Sequence, residues 1–187
     1  MPERPVETGD DMRAMAPLLV FALALPCAAQ VSDVKDRVRR DALDAALVLT
    51  SPYAAGVPIV LASVPPESAS PSVEAWTVFR EDGKGDRVVV YTQSSVFICA
   101  SRHTPVHTNP YICLLKLASI IVHEAWHFRN GPDEAGAYEA QLQFLEVRGG
   151  GSAAKIAEGV RRARDRVKAQ NKQAGDEARR RYREPPH

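Results

Sequence analysis

The sequence predicts an α+β fold, in which a small antiparallel sheet precedes two consecutive helices and a basic C-terminal helix follows. Three observations lead to this prediction. Two runs of β-branched and aromatic residues flank the turn-forming residues 81–86, as in a β-hairpin. Residues 114–126 are apolar on nearly all sides and contain no helix breaker, which indicates a buried helix. Beyond the glycines 149–151, apolar residues recur at helical spacing among many basic ones.

The N-terminal residues have the features of a secretory signal. Arg13 supplies a positive charge before an apolar run, and small residues then permit cleavage after Ala29. We predict a signal peptide over residues 1–29, of which 1–11 form an upstream extension if translation starts at Met12. The apolar run is too short to span a membrane. The mature protein is therefore expected to be secreted or periplasmic.

The first element of the mature chain is predicted to be a helix. Ser32 and Asp33 resemble an N-cap, apolar residues recur from Val34 to Val48 at near-helical spacing, and Pro52 ends the pattern. Residues 51–72 are rich in Pro, Ser and Ala, which predicts a loop with one short strand.

The next segments predict the sheet. Ala75–Phe79 and Arg87–Thr92 are the two strands of the hairpin. Val96–Cys99 is a short apolar run that we predict to be a further strand. The sheet is thus expected to lie just before the long apolar helix in sequence.

The most specific pattern in the chain is His123-Glu124-Ala125-Trp126-His127. On a helix, residues four apart lie on one face, so the two imidazoles can share one metal ion. Glu124 is then left free to act as a base on metal-activated water. Burying these groups is costly unless a metal satisfies them. The alternative is a helix edge, where they meet solvent or one another.

A second helix is predicted directly after the first. Asn130–Pro132 contains residues that end a helix and prevent its continuation. Asp133 can then cap a helix over residues 134–145, despite the poor helix former Gly136.

With these residues in place, residues 113–146 resemble the zincin metallopeptidases. The resemblance is to the gluzincin type, whose first helix carries HExxH and whose second helix supplies a glutamate ligand. It implies that His123, His127 and Glu134 bind Zn²⁺, and that a water molecule takes the fourth position.

The resemblance also implies catalytic roles. Glu124 would take the proton of the attacking water and pass it to the leaving amine. Tyr138, four residues beyond the ligand glutamate, would lie near the ligands and act in the transition state, although packing between the helices is an equally good reading. Two other acids remain open as the third ligand, because the spacer before Glu134 is short. These are Asp133 and Glu139.

The cysteines indicate one disulfide. Removal of the signal peptide leaves Cys99 and Cys113, and an even pair in an oxidising compartment is most simply paired. This bond closes a short loop and would add about 3 kcal/mol of stability, because it restricts the unfolded chain. The intervening loop carries His103 and His107, which either reach a cleft or are merely exposed.

The C-terminal part is basic. Between Lys155 and Glu184 there are 11 basic and 5 acidic side chains. Weak contact with an anionic surface is the partner that this charge allows, and a solvated helix is the alternative. Because Tyr182 is its one aromatic residue, no specific nucleic-acid binding is expected. We therefore divide the mature chain into a zincin-like domain, 30–150, and a basic helical or partly disordered tail, 151–187.

These observations predict a secreted, zinc-dependent hydrolase that cleaves peptide bonds in peptide or protein substrates. The alternative is a non-catalytic, zinc-stabilised binding or structural protein outside the cytoplasm, which keeps the site without turnover.

Overall fold

The computed structural model of the protein describes residues 26–70, 72–101 and 110–183. The predicted signal peptide therefore lies outside the described residues as far as position 25, and so do His103 and His107. Within the described ranges, no helix has both the length and the apolar character needed to cross a bilayer.

The chain divides into two compact units, 1–36 and 37–187. Of the first unit the structure describes residues 26–36, which are helical. The described elements confirm the α+β class and are, in order, α1 (Pro26–Thr50), β1 (Ile59–Ala62), β2 (Ala75–Phe79), β3 (Gly85–Tyr91), α2 (Ser95–Ser101), α3 (Pro110–Asn130), α4 (Glu134–Gly149), a 3₁₀ turn (Gly150–Ala153) and α5 (Ala154–Arg183).

The three strands form one sheet in the order β1-β3-β2. The predicted hairpin is confirmed, since β2 and β3 are antiparallel, with Thr77 opposite Val88. The sheet as a whole is mixed, because β1 pairs in parallel with β3. The prediction of a purely antiparallel sheet is wrong for this pair. The chain passes from one edge of the sheet to the other between β1 and β2, and β3 then fills the centre. Among the described residues, strand β2 is consequently an edge strand.

Residues Val96–Cys99 are helical and belong to α2, so the predicted fourth strand is wrong. The Ser94 hydroxyl accepts a hydrogen bond from the Phe97 amide at 3.1 Å, which is the geometry of a helix N-cap. Val96 and Phe97 are both buried. A short apolar run fits a buried helix as well as a buried strand, and here the cap decides between them.

Helix α3 is the centre of the fold. It packs against β2 and β3, against α2 and against α4. Its buried side chains include Leu115, Leu117, Ala118, Ile121, Val122 and Ala125. The predicted disulfide joins Cys99 of α2 to Cys113 in the first turns of α3, with their Cα atoms 5.7 Å apart. The helix that carries the two histidines is thus surrounded by the apolar core.

The predicted break after α3 is also confirmed. Gly131 has a φ of 89°, in the left-handed region that glycine adopts without strain. Asp133 caps α4 by accepting hydrogen bonds from the amides of Ala135 and Gly136. Helix α5 then packs along α4, while its residues 168–179 are all exposed.

Candidate metal centre

Three side chains from α3 and α4 converge at one point. The Nε2 atoms of His123 and His127 are 3.2 Å apart. The two carboxylate oxygens of Glu134 lie 3.3 Å from His123 Nε2 and 3.4 Å from His127 Nε2. One ligand atom from each residue can be chosen so that all lie within 4.8 Å of one another. This group could therefore bind a metal ion.

Local structure explains the convergence. His123 and His127 are one helical turn apart, so α3 presents both rings on the same face. Glu134 is the first residue of α4, and the turn at Gly131 brings that helix back along α3. The histidine side chains are 11% and 7% exposed and that of Glu134 is 50% exposed. The group is thus buried on the helix side and open on the carboxylate side.

The hydrogen bond of His127 indicates which ring nitrogen is available to a cation. Its Nδ1 lies 2.8 Å from the carbonyl oxygen of Gly131. A carbonyl only accepts, so Nδ1 carries the hydrogen and the neutral ring has a free lone pair on Nε2. This lone pair and the Glu134 carboxylate are acceptors held close together. Such a group of acceptors suits a cation.

His123 differs from His127 in this respect. Its Nδ1 is buried and has no hydrogen-bond partner among the described residues. Tyr138 instead packs against the ring, with centroids 4.6 Å apart and a tilt of 60°. Burial, followed by the charge of Glu134, raises the pKa of the Tyr138 phenol above its usual value. Tyr138 therefore lies beside the ligands, as predicted.

Asp133 and Glu139, the two other acids considered as the third ligand, make contacts elsewhere. The Asp133 carboxylate is engaged by the α4 amides, at 3.1 Å and 3.2 Å. The Glu139 carboxylate binds Arg164 of α5 at 3.0 Å. Neither acid belongs to the candidate metal group. The hydrogen bond from His123 is the largest influence on Glu134 and lowers the pKa of its carboxyl, while partial burial opposes this shift.

Glycine at position 136 allows α4 to approach α3 closely. A Cβ atom placed there would lie 2.3 Å from Cζ2 and 2.6 Å from Cη2 of the Trp126 indole. It would also lie 2.8 Å from Asp133 Oδ2, so any side chain at this position requires the indole, the capping carboxylate or the two helices to shift. Glu134 is two residues away on the same helix, so a shift of α4 at this point would also move its carboxylate relative to the histidines.

Glu124 lies outside the metal group and is held from the sheet. The Thr77 hydroxyl oxygen on β2 is 2.9 Å from Glu124 Oε2 and 2.9 Å from the Glu124 backbone oxygen. The side chain is half-buried and lines the same cleft as His123. Thr77 had no signal in the sequence, since it precedes Glu124 by 47 residues.

The cleft has a volume of about 800 Å³ and is lined by β2, α3, α4 and α5. Ile156, Val160 and Ala163 of α5 provide an apolar wall. Glu74, Lys116 and Gln141 are polar residues of the lining. Lys116 binds Glu74 at 3.0 Å, and Gln141 donates to Ser119, with 3.1 Å between them. These features were not predicted, because each joins elements that are distant in sequence.

Comparisons with models of known protein families, with curated proteins and with solved structures find no match.

Proposed function

We propose that the protein is a secreted zinc-dependent metallopeptidase of the HExxH type. One observation carries the proposal: His123, His127 and Glu134 converge into one candidate ligand group, while Glu124 stays outside it and lines the same cleft. Two imidazoles and one carboxylate are a ligand set that catalytic Zn²⁺ takes in proteins, with a fourth position open to water or substrate.

These positions suggest a separate chemical role for the metal ion, Glu124 and Tyr138. When bound, zinc would supply a Lewis acid that polarises the scissile carbonyl and lowers the pKa of water. Glu124 would accept the proton of the attacking water and hand it to the leaving amine. Tyr138, beside His123 at the cleft, would donate a hydrogen bond to the carbonyl oxygen as negative charge develops there.

The sheet offers a way to hold a peptide. Strand β2 is an edge strand, and Ala75 and the adjacent Glu74 line the cleft. An extended peptide can pair with such an edge through main-chain hydrogen bonds, which is largely independent of its sequence. This supports a peptide or protein substrate over a small molecule.

The proposed location rests on the N-terminal residues and the disulfide. The basic and apolar pattern before Ala29 is that of a secretory signal. A disulfide between Cys99 and Cys113 suits an oxidising compartment outside the cytosol.

The decisive experiment compares wild type with Glu124→Gln. Each protein is loaded with zinc, its metal content is measured by elemental mass spectrometry, and hydrolysis of fluorescein-labelled casein and of a diverse peptide mixture is followed. We expect about one zinc per chain in both proteins and loss of hydrolysis in the variant by at least about 100-fold. Glu146→Gln is the matched control, because that exposed acid pairs with Arg161 away from the cleft.

Two results would contradict the proposal. Wild type that binds zinc and cleaves no peptide would favour a non-catalytic zinc-stabilised protein. Equal hydrolysis by wild type and Glu124→Gln would remove Glu124 from the mechanism.

A further inference from the structure

The contact between Thr77 and Glu124 joins the edge strand to the metal helix. A threonine hydroxyl has one hydrogen to donate, and two oxygens of Glu124 lie at the same 2.9 Å from it. The backbone oxygen of Glu124 lies within α3, where carbonyls already accept helical hydrogen bonds. A hydrogen bond to the ionised carboxylate is the stronger of the two choices.

Nothing else in the described part of the chain holds this carboxylate by a hydrogen bond. Thr77 is the one side chain that donates to it, and no salt bridge to Glu124 is formed there. A glutamate side chain has several rotatable bonds, and the Glu124 side chain is half-buried and lines an open cleft. Without an anchor its carboxylate would sample several rotamers.

We propose that Thr77 is the positioning residue for Glu124. Its hydroxyl holds Oε2 and leaves Oε1 to exchange the proton with water and the leaving amine. This inference rests on the proposed peptidase function for its catalytic part. We also propose that β2 binds the peptide. One strand would therefore position both the substrate and the Glu124 carboxylate.

The first experiment tests the anchor without requiring activity. Urea unfolding of the metal-free protein is measured for wild type, Thr77→Val, Glu124→Ala and the double variant. Thr77→Val removes the hydroxyl at nearly constant shape, and in the Glu124→Ala background the hydroxyl still has the backbone oxygen. We expect the effect of Thr77→Val on the unfolding constant to be about fivefold larger when Glu124 is present. Equal effects in both backgrounds would overturn the proposal.

The second experiment tests the catalytic consequence. We use a quenched fluorescent peptide built on the main cleavage site in casein. For Thr77→Val we expect unchanged zinc content, KM within about twofold of wild type and kcat about tenfold lower, because orientation of the base acts in the chemical step. Thr77→Ser keeps a hydroxyl and should recover most of kcat.

Thr92→Val is the matched control. Thr92 also lies in the sheet region and donates one hydrogen bond, to the Ala62 carbonyl oxygen at 3.1 Å, but it does not line the cleft. Its kcat should equal that of wild type. Wild-type kcat in Thr77→Val, or no recovery in Thr77→Ser, would overturn the positioning role. Absence of hydrolysis by wild type would instead refute the peptidase function, and the unfolding cycle would still decide whether Thr77 anchors Glu124.

Discussion

Substitution of Gly136 by alanine should weaken zinc binding, although the new methyl group does not contact the three proposed ligands. The added Cβ would lie 2.3 Å from Trp126 Cζ2. Carbon atoms pack at about 3.5–4.0 Å, so the Trp126 indole must move away, or α3 and α4 must separate locally, by at least about 1.2 Å. Metal–ligand distances tolerate changes of only about 0.2 Å. Because Glu134 begins the same helix, we expect zinc affinity to fall by at least about tenfold.

The effect on stability should be smaller than the effect on zinc. Overpacking costs about 1–3 kcal/mol, whereas alanine in place of glycine within a helix favours folding by about 1 kcal/mol. The net loss in the metal-free protein should therefore be about 0–2 kcal/mol. Zinc affinity is measured by competition with a chromophoric chelator, and stability by urea unfolding.

Two variants control this prediction. Gly175→Ala is also a glycine-to-alanine change within a helix, but a Cβ there would meet nothing within 4 Å. It should leave zinc affinity unchanged and add up to about 1 kcal/mol of stability. Trp126→Phe removes the indole atoms Cζ2 and Cη2, so it should restore part of the zinc affinity of Gly136→Ala, while the contact of the new Cβ with Asp133 Oδ2 remains. Wild-type zinc affinity in the single variant Gly136→Ala would refute the reasoning.

Further predictions follow from the contacts of the acids and the cysteines. Glu134→Ala should lose zinc in elemental mass spectrometry, whereas Glu139→Ala should retain it; the reverse pattern would reassign the third ligand. Asp133→Ala should keep zinc but lower the free energy of unfolding by about 1 kcal/mol, because the α4 cap is lost, and an unchanged urea midpoint would contradict this. Replacement of Cys99 and Cys113 by serine should cost about 3 kcal/mol in urea unfolding, since the cysteines are 14 residues apart. A midpoint insensitive to the substitution would show that the bond does not stabilise the fold.

The parts of the fold that were predicted correctly depend on local signals. The long apolar run predicted α3, and two runs of β-branched and aromatic residues around a turn predicted the hairpin of β2 and β3. The two histidines share a face because helical spacing alone brings residues four apart together. Asp133 was identified as a cap from its residue type and position.

The parts that could not be predicted depend on contacts between distant segments or on one-residue choices. Asp133 and Glu134 are adjacent, and only the residue at which α4 begins decides which of them caps the helix and which reaches the histidines. Glu139 pairs with Arg164, which belongs to a later helix. Thr77 meets Glu124 through the packing of the sheet on α3, which no pattern in either segment encodes.

The disulfide between α2 and α3 changes what a break in the backbone would do. Residues 102–109 lie between Cys99 and Cys113, so a cut anywhere in this segment leaves the strand-bearing fragment and the histidine-bearing fragment covalently joined. A protein that a peptidase cuts in this segment would be nicked without being divided into two separate fragments. Such a molecule would migrate as one band in a non-reducing gel and as two bands after reduction.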